Sequence, residues 1–339
     1  MRLEPPGWWY GSRPSDRLKA ALLSPASWAY GFAANARFAL TTPYRSRLPV
    51  ICIGNFTAGG AGKTPLAIVI ARMLGDTGCK PAFLTRGYGG RIAGPHEVDP
   101  ERDTADDVGD EALLLARAAP GFVSADRPAG ARAIEVSGAD VIIMDDGFQN
   151  PSLFKDLALI AVDGAIGLGN RRVLPAGPLR APLGAQLRRA DAVIAIGDDA
   201  GDEADEFGTS LPVLQAAIVP AGDVSWLNDR PVLAFSGIGR PSKFFATLER
   251  LGAHIAEAIP FPDHHRFTAE EAATLLAKAE SAGAALVTTE KDWVRIDAME
   301  PALARLRAAS RTLPITLDLS AENRTILRSL LAKALENGR

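Results

Sequence analysis

Residues 51–65 read ICIGNFTAGGAGKTP, an apolar run that passes through a glycine-rich turn into Gly-Lys-Thr. That combination suits phosphate chemistry. Val50, Ile51, Cys52 and Ile53 predict a short buried strand, and Gly54, Gly59, Gly60 and Gly62 let the backbone turn tightly enough to aim N–H groups at anionic oxygens. Thr57, Ala58, Gly59, Gly60, Ala61 and Gly62 would form the cradle, Lys63 would reach the β- and γ-phosphates, and the Thr64 hydroxyl would meet Mg²⁺. Pro65 falls early in the helix that follows, where a missing N–H costs little. The helix N-terminus adds partial positive charge. The strict form of this loop has glycine at position 57, where the chain has Thr57.

Acids suited to a cation lie downstream. VIIMDDGFQ (141–149) is an apolar strand ending in Asp145 and Asp146, and strand ends of a parallel sheet face the ligand crevice. Asp-Gly is also ordinary turn chemistry, but beside a phosphate loop these acids suit the task of holding Mg²⁺. Asp110 and Glu111 open a helical pattern in VGDEALLLA, where acids serve equally as helix-start groups. His264 and His265, in FPDHHRF, are two of the four histidines and follow Asp263. They suit proton transfer, and no Cys or further His stands at zinc-ligand spacing. A plain surface pair fits the spacing as well. TRGYGG (85–90), GNRRVLPAGPLR (169–180) and SGIGRPS (236–242) bring Arg86, Arg171, Arg172 and Arg180, whose guanidinium forks match phosphate or simply face water. TTEKDW (288–293) reads as a catalytic cluster or a salt-bridged turn.

These residues need a scaffold. Strands are predicted at Leu48–Ile53, Pro81–Leu84, Val141–Met144, Leu157–Val162 and Ala192–Ile196, alternating with helices at Thr64–Thr77, Asp110–Ala118 and Asp126–Ser137. Such alternation means a mostly parallel sheet covered on both faces, an α/β/α sandwich of the P-loop type. The acidic, turn-rich residues 198–212 mark a surface excursion or linker. Beyond them a second, smaller α/β/α unit is expected, with strands at Val232–Phe235, Ile255–Ile259 and Ala285–Val287 and a last one at Leu313–Leu319. Its helices are Pro241–Leu251 and Thr268–Ala282, the latter opened by a Thr268/Glu271 capping box. The expected division is 1–47, 48–212 and 213–339.

The 339 residues suffice for two cores, and two cysteines, Cys52 and Cys79, provide no disulfide framework and suit a reducing compartment. No secretory leader and no apolar run long enough to span a bilayer is present, which puts the expected location on the cytoplasmic side. Charge is uneven. Residues 1–50 hold seven Lys/Arg against two Asp/Glu, with three of the five Trp and three of the four Tyr; the remainder holds 30 against 38. The acidic remainder argues against a nucleic-acid binder. The basic, aromatic start suits a lipid headgroup interface. Helical pieces are predicted at Asp16–Leu23 and Pro25–Leu40, with Trp28, Phe32, Ala36 and Leu40 along one face. That face would bind a membrane surface or pack on the protein's own core.

Taken together, GNFTAGGAGKTP, TRGYGG, VGDEALLLA, DDGFQN, VLPAGPLR, FSGIGRPSKFF, FPDHHRF and TEKD, in this order and over almost the whole chain, resemble the tetraacyldisaccharide 4′-kinase family of lipid A biosynthesis. The resemblance implies an ATP-dependent, Mg²⁺-dependent lipid kinase at the cytoplasmic face of the bacterial inner membrane, peripheral to it. The acceptor would be the 4′-hydroxyl of a tetraacylated glucosamine disaccharide 1-phosphate and the product lipid IVA. It implies two α/β/α domains joined by a two-stranded linker, with the site in the cleft between them. It makes Asp110 and His264 the pair that activates the sugar hydroxyl, with Lys63 on the phosphate. It also implies Thr64, Asp145, Asp146 and Glu111 toward Mg²⁺, and Arg86, Tyr88, Gln149 and Arg180 toward the acceptor. Thr57 is no anomaly by this resemblance, since the family's loop usually departs from the strict pattern there. Asn150 replaces a usual His, Arg171 a usual Gly and Ala181 a usual Glu. Two readings compete: a P-loop kinase or ligase for a soluble metabolite, and a membrane-associated ATPase switch without need of Asp110 and His264.

Overall fold

The computed structural model describes residues 5–197 and 211–337. Eight strands follow in chain order: β1 (Val50–Gly54), β2 (Pro81–Thr85), β3 (His96–Glu97), β4 (Gly121–Val123), β5 (Val141–Asp145), β6 (Leu157–Asp163), β7 (Ala192–Ile196) and β8 (Val213–Pro220). The chain then builds a smaller sheet from β9 (Val232–Ser236), β10 (Ile255–Pro260), β11 (Ala285–Thr289) and β12 (Ser310–Leu313), and returns along β13 (Ile315–Leu319). Among the described residues the larger sheet has nine strands in the order β13-β8-β7-β6-β1-β5-β2-β4-β3, and the smaller four in the order β10-β9-β11-β12. β1 is central, parallel to β5 on one side and β6 on the other. Only the edge pairs β3–β4 and β8–β13 are antiparallel.

Alternation along β1 builds both cores. Ile51 and Ile53 face one layer, where Leu66, Ile70 and Leu74 of helix Lys63–Gly75 pack with Leu327 and Leu331 of the last helix, Ala321–Asn337. Val50 and Cys52 face the other, against Ala131 and Ile134 of helix Arg127–Glu135. Strands buried on both faces read as continuous apolar runs, which is why β1, β5, β6 and β7 were visible in the sequence.

The expected break at residue 213 is not where the sheets divide. β8, β13 and the last helix belong to the larger sheet, so the smaller one is an insertion between two antiparallel edge strands. The strand expected over Leu313–Leu319 is two strands in different sheets. Pro314 has no N–H to continue a ladder, and the chain crosses between the sheets there. Most of the acidic stretch 198–212 lies outside the described residues.

The N-terminal helices run Pro14–Leu22 and Ser24–Leu40. Ser27 and Gly31 face the protein: the Ser27 hydroxyl donates to the Val173 carbonyl at 2.7 Å, and a Cβ on Gly31 would stand 3.2 Å from Pro182. Trp28, Phe32 and Leu40 point away, 76%, 77% and 86% exposed. Packing of that face on the core is therefore excluded. No helix among the described residues is long and apolar enough to cross a membrane.

Because Leu327 is fully buried on the central sheet, Leu327→Ala should lower unfolding free energy by about 2–5 kcal/mol in urea titration, while Leu40→Ala should stay within about 0.5 kcal/mol. Equal losses would contradict this assignment of the core.

Candidate active site

The phosphate loop leaves β1 and ends at Gly62, whose φ of 80° opens helix Lys63–Gly75. A Cβ there would also stand 2.9 Å from Ile196, so position 62 needs glycine twice over. The loop is braced from outside. Ala58 N–H donates to the Pro178 carbonyl at 2.8 Å, Arg180 N–H to Phe56 at 2.9 Å, and the Arg180 Nε to Thr57 at 3.0 Å. Gln149 Nε2 donates to the Asn55 carbonyl at 2.8 Å, and Asn55 Nδ2 to Gly59 at 3.0 Å. Gln149 and Arg180, expected toward an acceptor, thus hold the loop's own carbonyls. Gly59 and Gly60 are exposed and Thr64 is half-buried.

Asp145 ends β5 with its side chain fully buried, and neither carboxylate oxygen has a partner among the described residues. Burial, then the charges of Glu111 and Asp146, push its carboxyl up to about 7 against the pull of Lys63. Asp146 takes a left-handed φ of 49° and pairs with Lys63 Nζ at 3.6 Å and Arg180 Nη1 at 3.3 Å. Burial opposes its charge, yet Lys63 and Arg180 hold it below the usual carboxylate range. An orphaned buried carboxylate followed in the chain by a second acid is an all-oxygen set. It fits Mg²⁺, which takes one or two carboxylates with phosphate and water rather than a full protein cage. Among the described residues no three His, Cys, Asp or Glu side chains converge as a ready-made metal cage. Glu111 is engaged differently, accepting from Lys291 Nζ at 2.9 Å.

Asp110 and His264 come from different sheets and meet. His264, in the loop after β10, has φ 57°, donates its N–H to the Gly237 carbonyl at 2.9 Å and brings Nδ1 to 3.0 Å from Asp110 Oδ2. Asp110 starts helix Asp110–Ala116, 4% exposed. Burial would raise its carboxyl, but the hydrogen bond from His264 and the charges of Lys291 and Arg295 hold it well below the usual range. With Nδ1–H donating to Asp110, the basic nitrogen is Nε2. The Tyr88 ring lies edge-on to His264 at 6.0 Å and is 55% exposed. Arg86 is exposed nearby in the chain. His265 is occupied elsewhere: its Nε2 meets Glu271 at 2.9 Å and its ring stacks on Phe261 at 4.8 Å. Glu271 also closes the capping box with Thr268. His264 rather than His265 therefore faces the first sheet's acids.

TEKD resolves as a structural turn with one long reach. Asp292 is fully buried and accepts from Ser236 Oγ, the Gly237 N–H and Thr289 Oγ1 at 2.9, 3.0 and 2.6 Å, while Lys291 crosses to Glu111. Two buried cations escaped the sequence reading. Arg295, 5% exposed at its side chain, meets Asp110 and Asp292; its only signal was the i, i+3 spacing from Asp292. Arg127 donates to the Ser124 carbonyl at 2.6 Å and is pulled down to about 10 by burial, against the charges of Asp146, Cys52 and Asp145. Arg172 ties the loop to the N-terminal helix through Ser24 Oγ at 2.7 Å, and Arg171 is exposed with φ 57°.

The Asp145 shift makes a prediction of definite sign. A carboxyl raised in the fold holds its proton between about pH 4 and 7 while the unfolded chain does not, so its contribution to stability is lost as pH rises through 7. In EDTA, Asp145→Asn should melt above wild type at pH 8, and the gap should close toward pH 4. A gap independent of pH would contradict the shift.

Comparison with known proteins bears on this arrangement. A family model described as LpxK, Tetraacyldisaccharide-1-P 4′-kinase, matches residues 19–335. The tetraacyldisaccharide 4′-kinase of Rhodospirillum centenum is 48% identical over 317 residues, 93% of this chain and 92% of that one. The enzyme of that name in Methylorubrum extorquens strain PA1 is 50% identical over 338 residues, 98% and 99% of the two chains. The crystal structure of LpxK from Aquifex aeolicus in complex with ATP superposes with a TM-score of 0.74 at 28% identity, covering 93% of this chain and 99% of that one. A chain matched from residue 19 to 335 and about half identical to these enzymes over 92% and 99% of their lengths belongs to the tetraacyldisaccharide-1-P 4′-kinase family.

Proposed function

We propose that this protein transfers the γ-phosphate of ATP to the 4′-hydroxyl of a tetraacylated glucosamine disaccharide 1-phosphate, giving the 1,4′-bisphosphate lipid IVA. The observation that carries the reading is the contact of Asp110 with His264 at the edge of the phosphate site. Glu111, the next residue, is close enough to raise the carboxyl of Asp145. A proton acceptor one residue away from a group that acts on the phosphate-site acid supports phosphoryl transfer.

The residues divide the work as follows. The loop from Thr57 to Gly62 cradles the phosphates with its N–H groups, and Lys63, released from Asp146, neutralises the β- and γ-phosphates. Asp145, Asp146 and Thr64 would hold Mg²⁺, which supplies charge neutralisation on the phosphates; Glu111 supports them through its field. Asp110 fixes the imidazole of His264, whose Nε2 accepts the proton of the 4′-hydroxyl. The oxygen attacks the γ-phosphorus, the bond to the β,γ-bridging oxygen breaks, and ADP leaves. Tyr88 and Arg86 flank the acceptor side. In domain terms, the phosphate site belongs to the larger sheet and the base to the smaller insertion, so transfer requires the two to be closed on each other.

The N-terminal helices support the lipid over a soluble acceptor. Trp28, Phe32 and Leu40 present apolar surface to solvent, each able to contribute roughly 1.5–3 kcal/mol on burial in lipid. Arg13, Arg17, Lys19 and Arg37 add attraction to anionic headgroups. Reversible attachment to the cytoplasmic face of the bacterial inner membrane follows. An acceptor whose acyl chains stay in the bilayer needs the enzyme brought to it.

Lys63→Ala should lower kcat at least about 10²-fold with lipid acceptor in detergent micelles, and near-normal turnover would refute the loop assignment. His264→Ala should cost about 10²–10⁴-fold, and His265→Ala much less. A worse His265 variant would move the base to that residue. Trp28→Ser with Phe32→Ser should weaken sedimentation with anionic vesicles while leaving ATP affinity intact; undiminished sedimentation would place the attachment elsewhere.

A further inference from the structure

Resting on that reading, we infer that Arg295 is a positioning residue for the proton-accepting pair. The guanidinium is 5% exposed at its side chain and lies beneath both partners. Its Nε and Nη2 stand 2.6 and 2.5 Å from Asp110 Oδ2, the same oxygen that faces His264 Nδ1. Its Nη2 is 3.2 Å from that imidazole nitrogen. On its far side Nη1 donates to the Gly237 carbonyl at 2.6 Å and to Asp292 Oδ1 at 2.8 Å. The Gly237 carbonyl is also the acceptor of the His264 N–H. One planar fork therefore sets the carboxylate, the backbone of the histidine loop and the turn that carries Asp292.

The chemistry follows from what each contact forbids. Five fixed N–H donors and no acceptor mean that Arg295 can only donate. Its two N–H groups on Asp110 Oδ2 fix the carboxylate oxygen that Nδ1 faces, while Asp263 Oδ2 stands 3.8 Å from Nε2. His264 sits at φ 57°, a conformation a β-substituted residue keeps only when its surroundings impose it. The shared Gly237 carbonyl is one such constraint. Lys cannot reproduce this, because an ammonium is a point charge without the planar fork. The second sheet's basic residue thus acts on the transfer step through Asp110 and His264.

The test compares Arg295→Met and Arg295→Lys with wild type, alone and in the His264→Ala background. Acceptor phosphorylation is read from γ-labelled ATP in micelles, and His264 imidazole ¹⁵N spectra are read without substrate. Arg295→Met should lower kcat about tenfold to a hundredfold with KM for ATP and lipid within threefold, Arg295→Lys should lose less, and neither should cost anything further once His264 is absent. The wild-type spectrum should show the proton on Nδ1, and Arg295→Met should mix the two tautomers. Unchanged kcat, an equal loss in the His264→Ala background, or an unaltered spectrum would overturn the inference. If Arg295→Met does not fold, Arg295→Lys is judged by the same readouts. A wild type that leaves the lipid unphosphorylated would instead overturn the functional reading, and the imidazole spectrum would still decide on Arg295.

Discussion

A buried carboxylate at Asp110 is the point on which the two sheets depend for their alignment. Removing its charge from water is costly unless donors replace the water, and here they come from Arg295, His264 and the Glu111 N–H. Only the last belongs to the same sheet. Other ties between the sheets share this polarity: Arg266 with Asp106 at 2.8 Å, Lys291 with Glu111, and both Arg240 and Lys243 with Asp163. In each the acid stands on the larger sheet and the base on the smaller one. These ties favour this facing of the insertion over the strand ends where β1, β5 and β6 terminate, because another would leave the buried acids Asp110 and Asp163 unpaired.

The phosphate side is built on the opposite principle, with groups held short of satisfaction. Among the described residues Asp145 has no hydrogen-bond partner and Lys63 rests on Asp146, so the site carries charge that a nucleotide and a cation would complete. Two of the three non-glycine residues with positive φ among the described residues, Asp146 and His264, belong to the candidate site. Strain of this kind survives where surrounding contacts fix the backbone. Here those contacts are Lys63 and Arg180 around Asp146, and Gly237 and Asp110 around His264.

Much of this was legible in the chain. ICIG, VIIMD and LALIAVD announce strands because both faces of a parallel sheet are apolar, and GGAGKTP announces the loop because few other sequences can turn so tightly into a helix. The Asp110–His264 pair was beyond spacing alone, since 154 residues separate them, and came from resemblance. Arg295 was missed, and Asp292 was named only within TTEKDW, because their partners are set by how two sheets face, which no local pattern records. β8 was missed for a different reason: its residues are partly exposed, so it lacks the continuous apolar run that marks the centre of the sheet, whereas β13 fell within the strand expected over Leu313–Leu319. Pro314 was the available sign that Leu313–Leu319 could not be one strand.

The most direct test of the account is the structure of the product formed from ATP and tetraacyldisaccharide 1-phosphate in micelles. The account predicts a lipid with a second phosphate monoester on the 4′ carbon, seen as a new ³¹P resonance coupled to the 4′ proton, with one ADP formed per lipid. ADP released with free phosphate and an unchanged lipid, or a phosphate on any other hydroxyl, would contradict it.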